Sequence, residues 1–149
     1  MEPNIYPDGR LSRLLIVAAA LMAVLATRPA QAFVASVTWV SDGDTLWAQP
    51  AAGGAPRNLR IIGIDAPELC QPGGAAARVA LQRLVLRQTV QVSPHRVDSY
   101  GRVLATLRVN GRDVGEQMVL QGQAWSYRWR RDPGPYAAQE VLARKARRG

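Results

Sequence analysis

The stretch FVASVTWVSDGDTLWAQ, residues 33–49, decides the fold, because two strand-like segments flank a tight turn within it. Residues 33–40 are rich in β-branched and aromatic side chains, and strand composition resumes at 45–49. The turn between them contains Asp42-Gly43, and Asp-Gly is a strong signal for a hairpin. The folded part of the chain is therefore predicted to open with a β-hairpin.

Strands and helices continue in a regular order after this hairpin. Prolines and glycines interrupt the chain at 50–56 and 72–74, and strand-like and helix-like segments follow these breaks. The order β-β-β-α-β-β-α-α is typical of a five-stranded Greek-key barrel of the OB type. We predict an α+β, mainly β fold with three helices; its further strands cover 57–64, 89–95 and 102–109, and its helices 75–88, 114–120 and 135–148.

The segment before the hairpin has the pattern of an export signal. Two arginines precede the apolar run LLIVAAALMAVLA at 14–26, and the small-x-small sequence AQA follows at 30–32. An uncleaved membrane anchor is the alternative, but such a run spans about 20 Å of a bilayer core of about 30 Å. We predict a signal peptide at 1–32, a domain at 33–149, and a secreted or periplasmic protein.

Charge and cysteine content narrow the partners of the predicted domain. Residues 33–149 carry 16 Lys+Arg against 9 Asp+Glu, a net charge of +7, and 15 of these cations are arginine. The planar guanidinium matches phosphate oxygens, so this balance favours nucleic acid, an anionic membrane or an acidic glycan as partner. The one cysteine, Cys70, excludes an intrachain disulfide and leaves a free thiol or a link to a second chain.

Three carboxylates follow predicted strand ends. Asp44 closes the hairpin turn, while Asp65 and Glu68 belong to the corner Asp65-Ala66-Pro67-Glu68. Proline restricts its own backbone and that of the preceding residue, so this corner holds its carboxylates in a fixed arrangement. Clustered carboxylates repel unless a cation or proton lies between them, and hard divalent ions prefer oxygen ligands. A metal site at Asp44 and Asp65 is one interpretation, and separately solvated surface acids are the other.

Two arginines accompany these acids. Arg60 lies in the third strand, and Arg102 begins the fifth strand, after a turn at 98–101. Strand alternation places Arg60 and Asp65 on opposite faces, so both reach one site only if the chain bends, for which Gly63 is the candidate. Phosphodiester cleavage passes through a state with extra negative charge, which two guanidinium groups and a divalent cation would stabilise.

Together, these motifs resemble the staphylococcal nuclease, or thermonuclease, family of secreted calcium nucleases with an OB fold. The resemblance covers 33–149 and is carried by D-G-D-T at 42–45, R-x4-D-x-P-E at 60–68, Y-G-R at 100–102 and V-L-Q-G-x-A at 119–124. It implies a Ca²⁺-dependent endonuclease, a monomer, that cleaves DNA and RNA with low sequence specificity. It also implies 3′-phosphate ends and a preference for single-stranded or frayed substrate.

The resemblance extends to metal and water. Asp44 and Asp65 match the calcium carboxylates, and Ala66 matches a residue that supplies its backbone carbonyl. The family usually has threonine there, so alanine should be tolerated. Glu68 matches the residue proposed to activate the attacking water, and a metal-bound hydroxide is the alternative nucleophile.

The resemblance also assigns positions on the substrate side. Arg60 and Arg102 match the pair that grips the scissile phosphate, and Asp42 matches an acid that supports the site without binding metal. Tyr100 matches an aromatic residue that contacts a substrate phosphate. Ser99 replaces a lysine common in the family, which predicts weaker phosphate affinity beside the site.

An aromatic and basic segment follows these motifs. Trp125, Tyr127, Trp129 and Tyr136 alternate with arginines, a pattern suited to stacking bases and contacting phosphates of single strands. Packing in the core or at its rim is the alternative for each ring. Tyr127 is the position that we predict to stack on a substrate base.

A second class of function stays open from the sequence, a catalytically silent OB-fold module that binds single-stranded nucleic acid or protein. Silent relatives typically lose the acids or the arginines. This chain keeps all five, and the sequence therefore favours the nuclease: Asp44, Arg60, Asp65, Glu68 and Arg102.

Overall fold

A computed structural model describes residues 31–149. The predicted signal peptide, apart from its last two residues, lies outside this range, and the export prediction stays a prediction. Within the described range, no helix is long and apolar enough to cross a membrane.

Eight strands and three helices make up the described chain. They follow in the order β1 (Phe33–Val40), β2 (Thr45–Pro50), β3 (Arg57–Ile61), β4 (Ile64–Asp65), α1 (Gly74–Val85), β5 (Thr89–Val97), β6 (Val103–Val109), β7 (Arg112–Asp113), α2 (Val114–Leu120), β8 (Trp125–Ser126) and α3 (Ala137–Lys145).

Five of these strands close into a barrel. β1 pairs antiparallel with β2 and β5, β2 with β3, and β5 with β6. A parallel pairing of β3 with β6 completes the circle. β7 pairs antiparallel with the end of β6, and β4 pairs with β8 beside the barrel. The predicted five-stranded, mainly β barrel with three helices is therefore confirmed.

Alternating side chains fill the barrel. Leu46 and Ala48 on β2 and Leu59 and Ile61 on β3 are buried. Each fully buried Leu or Ile contributes about 1.5–3 kcal/mol relative to an exposed one. The helices close the core with one apolar face each, through Ala77, Leu81 and Val85 on α1 and Val114, Met118 and Val119 on α2.

The third predicted strand is broken in two. β3 ends at Ile61 and β4 begins at Ile64, with Gly63 between them at a φ of +79°. This backbone conformation is easy for glycine and rare for other residues. The bend expected at Gly63 is confirmed, and it turns the chain toward Asp65.

Both of the longer helices are shorter than predicted. The helix predicted at 75–88 ends at Val85, because the backbone of Leu86 is extended, and Arg87 follows with a φ of +61°. The helix predicted at 135–148 covers Ala137–Lys145. Asp113 caps the start of α2, since its Oδ1 accepts the Glu116 N–H at 3.0 Å.

Candidate active site

The hairpin turn owes its shape to a side chain and its position to close packing. Asp42 Oδ1 accepts the Asp44 N–H at 3.0 Å, which tightens the turn. A Cβ on Gly43 would lie 2.6 Å from the Ala66 Cβ and 2.8 Å from the Ala77 Cβ. Because residue 43 has no side chain, the turn lies directly against the acidic corner and α1, and it brings Asp44 to that corner.

Asp44 is a buried carboxylate with several donors. Only 3% of the residue is exposed. Its Oδ1 accepts from Thr45 Oγ1 at 2.9 Å and from Arg60 Nη1 at 2.5 Å, and its Oδ2 accepts from the Ala66 N–H at 3.3 Å. Burial raises the pKa of Asp44 to about 6, although the Arg60 guanidinium acts to lower it.

Arg60 joins the two acids that the sequence paired. Its Nη2 lies 3.3 Å from Asp65 Oδ1 while its Nη1 contacts Asp44. The bend at Gly63 makes this possible, because it brings Asp65 to the same side as Arg60. Asp65 is exposed, so one carboxylate of the pair faces solvent and the other is enclosed.

The donor set around Arg60 fits a hard divalent cation. Asp44 and Asp65 are close enough to share one guanidinium, so their oxygens converge on one region. Among residues 31–149, no three His, Cys, Asp or Glu side chains form a group that could hold a metal ion. Two carboxylates with the remaining positions left to carbonyl oxygen and water suit Ca²⁺ or Mg²⁺ better than zinc, which prefers nitrogen and sulfur ligands.

The Glu68 backbone is fixed while its side chain is exposed. Its N–H donates to Gln71 Oε1 at 2.9 Å, and its carbonyl accepts the Gln71 N–H at 2.8 Å. A Cβ on Gly74 would lie only 1.9 Å from that carbonyl oxygen, so the start of α1 packs tightly on the corner. The exposed Glu68 carboxylate is therefore attached to a backbone that packing and hydrogen bonds hold in place.

Asp98 holds the second arginine within a short turn. Its Oδ1 accepts the N–H groups of Tyr100 and Arg102, each at 2.9 Å, and its Oδ2 accepts from Arg102 Nε at 2.8 Å. The Arg102 Cζ also lies 5.3 Å from the centre of the Tyr100 ring. Desolvation acts to raise the pKa of Asp98, but these hydrogen bonds outweigh it and the pKa is lowered.

Glu140 supports the segment that carries Tyr127. Glu140 is buried, with 5% of its surface exposed. Its carboxylate accepts from the Ser126 N–H at 3.1 Å, Arg128 Nη2 at 2.6 Å and Arg144 Nη2 at 2.5 Å. Desolvation acts against its charged form, yet these bonds lower its pKa. In this segment, the Tyr127 N–H donates to the Gly63 carbonyl at 2.9 Å, and this hydrogen bond fixes the backbone that carries the Tyr127 ring.

These elements surround one pocket of about 920 Å³. Five of the predicted site residues line it: Arg60, Glu68, Tyr100, Arg102 and Tyr127. Asp65 lines a smaller neighbouring pocket of about 210 Å³, which also has Tyr127 in its wall. Asp42, Asp44 and Ala66 line neither of these two pockets, and Asp44 is connected to the larger one through its contact with Arg60.

Sequence reasoning missed several residues of the larger pocket. Asp98 carries the pattern of an Asx turn, an Asp whose side chain accepts N–H groups two and four residues on, and this signal was present in the sequence. Asn58, His95 and Arg96 also line the pocket, and only the barrel closure brings them there.

Two side chains each adopt one of the alternatives that the sequence left open. The Tyr136 hydroxyl donates to Asp113 Oδ1 at 3.0 Å and the ring packs against the core, so Tyr136 is a packing residue rather than a stacking surface. Cys70 is an exposed free thiol.

Comparisons with known proteins identify the relatives of this chain. The sequence profile of the family described as staphylococcal nuclease homologue matches residues 58–149. The chain is 38% identical over 126 residues to protein ParB of Escherichia coli, covering 78% of this chain and 70% of that protein. It is 35% identical over 128 residues to micrococcal nuclease of Shigella flexneri, covering 80% and 72%.

A plant relative has a different overall length. The probable staphylococcal-like nuclease CAN2 of Oryza sativa is 35% identical over 91 residues, which cover 61% of this chain but 25% of that protein. The shared part is thus a domain that recurs in longer proteins. The profile match, the two bacterial relatives and the closed five-stranded barrel lead to one conclusion: this chain belongs to the staphylococcal nuclease homologue family.

Proposed function

We propose that this protein is a calcium-dependent nuclease that hydrolyses phosphodiester bonds of DNA and RNA with low sequence specificity and leaves 3′-phosphate ends. One observation carries the proposal: Arg60, Glu68 and Arg102 come from three separate segments and line a single pocket. The relatives named as nucleases support the same chemistry. A monomer acting on single-stranded or frayed substrate is part of the proposal.

The two arginines supply positive charge to the reacting phosphate. Arg60 is held by Asp44 and Asp65, and Arg102 by Asp98, so both guanidinium groups are oriented before substrate arrives. Charge that is already oriented stabilises a transition state with extra negative charge more than the ground state. Each arginine keeps further N–H groups for phosphate oxygens, because a guanidinium has five.

Glu68 is the candidate base. It is exposed in the pocket wall on a backbone fixed by Gln71 and Gly74. A water held by this carboxylate would give up a proton to it while attacking phosphorus in line with the leaving 5′-oxygen. A general base of this kind typically contributes about 10²–10⁴ in rate.

Asp44, Asp65 and the Ala66 carbonyl would hold Ca²⁺. When bound, the cation would supply positive charge to the phosphate oxygens, in addition to that of the arginines. It would also compensate the burial of Asp44, whose carboxylate otherwise depends on Arg60. Tyr100 and Tyr127 at the pocket rim would contact phosphate and base.

A plasmid-nicking assay with purified protein tests the function. We expect nicking and cleavage of a single-stranded oligonucleotide with Ca²⁺, and none with EDTA. Glu68→Gln should lose most turnover, whereas Glu116→Gln, a matched change on α2 outside the pocket, should keep it. A folded wild-type protein that cleaves neither substrate at any calcium concentration would instead support a silent binding module.

Export is a separate part of the proposal. We propose that the predicted signal at 1–32 directs the chain to the periplasm or the culture fluid. Amino-terminal sequencing of the exported protein should begin at Phe33. Recovery of intact protein starting at Met1 from membranes would favour the uncleaved anchor instead.

A further inference from the structure

Two exposed tryptophans lie side by side on the outside of the barrel. Trp39 on β1 and Trp47 on β2 are directly paired across the strands, and 54% and 39% of their surfaces are exposed. Directly paired residues on one face contact each other through their side chains. Two adjacent exposed indoles form an apolar surface of a kind that usually marks a binding site.

The same two rings have an arginine beside them. Arg78 on α1 places its Cζ 4.9 Å from the centre of the Trp39 ring, and its Nε donates to the Val40 carbonyl at 3.0 Å. This contact orients the guanidinium while leaving its two Nη groups to other partners. We call Trp39, Trp47 and Arg78 the tryptophan patch.

The patch lies on the same face of the sheet as Arg60. Thr45 pairs with Arg60, and Trp47 pairs with Asn58, so Trp47 is two positions along β2 on the same side. Asn58 itself lines the large pocket. From Asn58 across β2 to β1 is two strand spacings, about 10 Å, so the patch lies beside the wall of the pocket.

We infer that the tryptophan patch is a second contact surface for single-stranded nucleic acid, on which bases beyond the scissile phosphate stack. This inference rests on the proposed function and extends it to a longer substrate path. Aromatic faces combined with a cation suit bases and phosphates together, and stacking tolerates any base sequence. The net positive charge of the chain and the pairing of Trp47 with the pocket residue Asn58 favour a polynucleotide over a protein partner.

Direct binding separates this surface from catalysis. Fluorescence anisotropy in EDTA would compare a labelled 12-nucleotide single strand with a 3-nucleotide strand, for wild type, Trp39→Ala/Trp47→Ala and the control Leu142→Ala. Leu142 is an exposed apolar residue on α3. The double variant should bind the 12-mer at least about tenfold more weakly. Binding of the 3-mer and cleavage of a dinucleotide with Ca²⁺ should be unchanged.

Further variants keep the test independent of folding. Trp39→Phe/Trp47→Phe retains aromatic faces and should recover most of the 12-mer affinity. Arg78→Gln should reduce the slope of log affinity against log salt concentration by about 1, the amount expected for the loss of one phosphate contact.

Several results would overturn the inference. The first is a wild-type protein that does not bind the 12-mer. The second is equal binding of the 12-mer by the wild type and the double alanine variant. The third is a double alanine variant that loses as much affinity for the 3-mer as for the 12-mer. A tryptophan-dependent dimer in sedimentation would do the same, because it would make the patch an interface between copies. Absence of cleavage with normal patch-dependent binding would contradict the proposed nuclease and leave the patch in place.

Discussion

The two arginines of the pocket are held in different ways. Arg60 is bound by carboxylates 16 and 5 residues away, one of them buried, and depends on a bend in the chain. Arg102 is bound by Asp98, four residues before it, in a turn in which three hydrogen bonds end on that one carboxylate. The contacts of Arg60 thus depend on the folded barrel, whereas those of Arg102 form within one short turn.

This difference separates stability from activity. Loss of Arg60 leaves the Asp44 carboxylate buried without an opposite charge, and this should lower the free energy of unfolding. Loss of Arg102 leaves Asp98 at the surface, where water replaces the missing partner. Both changes should harm catalysis, but only the first should also harm the fold.

Replacing each arginine by alanine should give the largest effects. Each variant should lose about 10²–10³ in kcat/KM, the usual cost of removing an oriented donor to a transition state. Arg60→Ala should also lose about 2 kcal/mol of unfolding free energy, less than for a fully enclosed pair because Arg60 is partly exposed. Urea unfolding in EDTA and initial cleavage rates measure the two quantities, and equal stability of both variants would contradict the contrast.

Glycine substitutions should give the next largest effects. A methyl group at Gly43 meets the Ala66 and Ala77 Cβ atoms and must displace the corner or α1, so Gly43→Ala should cost about 1–3 kcal/mol and lower activity. At Gly101, where φ is +78°, an added Cβ would meet no atom within 4 Å beyond the adjoining residues. Gly101→Ala should therefore cost only the backbone strain, about 1 kcal/mol. Thermal or urea unfolding of the two variants measures these losses of unfolding free energy. A larger loss for Gly101→Ala than for Gly43→Ala would contradict the expected order.

Asp98 substitutions should give the smallest effects. Asp98→Ala should lower kcat/KM about tenfold by releasing Arg102. Asp98→Asn should recover much of this loss, because its amide oxygen can still accept the two backbone N–H groups. Recovery by asparagine would distinguish the positioning role from a general loss of the turn, and no loss in either variant would mean that Arg102 needs no such support.

The pH dependence of the same turn follows from the lowered pKa of Asp98. Its stabilisation is present above the unfolded pKa of about 4 and is lost as pH falls through the lower folded value. The nuclear magnetic resonance titration of the Asp98 carboxyl should therefore have its midpoint below that of an unfolded peptide. In Arg102→Ala the midpoint should move up, and an unchanged midpoint would mean that Arg102 does not interact with the charge.

The sequence by itself determined the order of the five barrel strands and three helices, the turn at Asp42-Gly43 and the bend at Gly63. These features follow from the preferences of a few neighbouring residues, so they are readable without the rest of the chain. It also placed Arg60 in a strand, Glu68 in the corner after that strand and Arg102 at the start of another strand.

Tertiary structure alone decided which of these residues meet. The double contact of Arg60, the close packing at Gly43, the membership of Asn58 and Tyr127 in the pocket and the packing of Tyr136 all depend on atoms far apart in sequence. Such contacts depend on how the barrel closes and on what each side chain then touches. Local preferences do not contain that information, because the same turn or strand can present its side chains to many different neighbours.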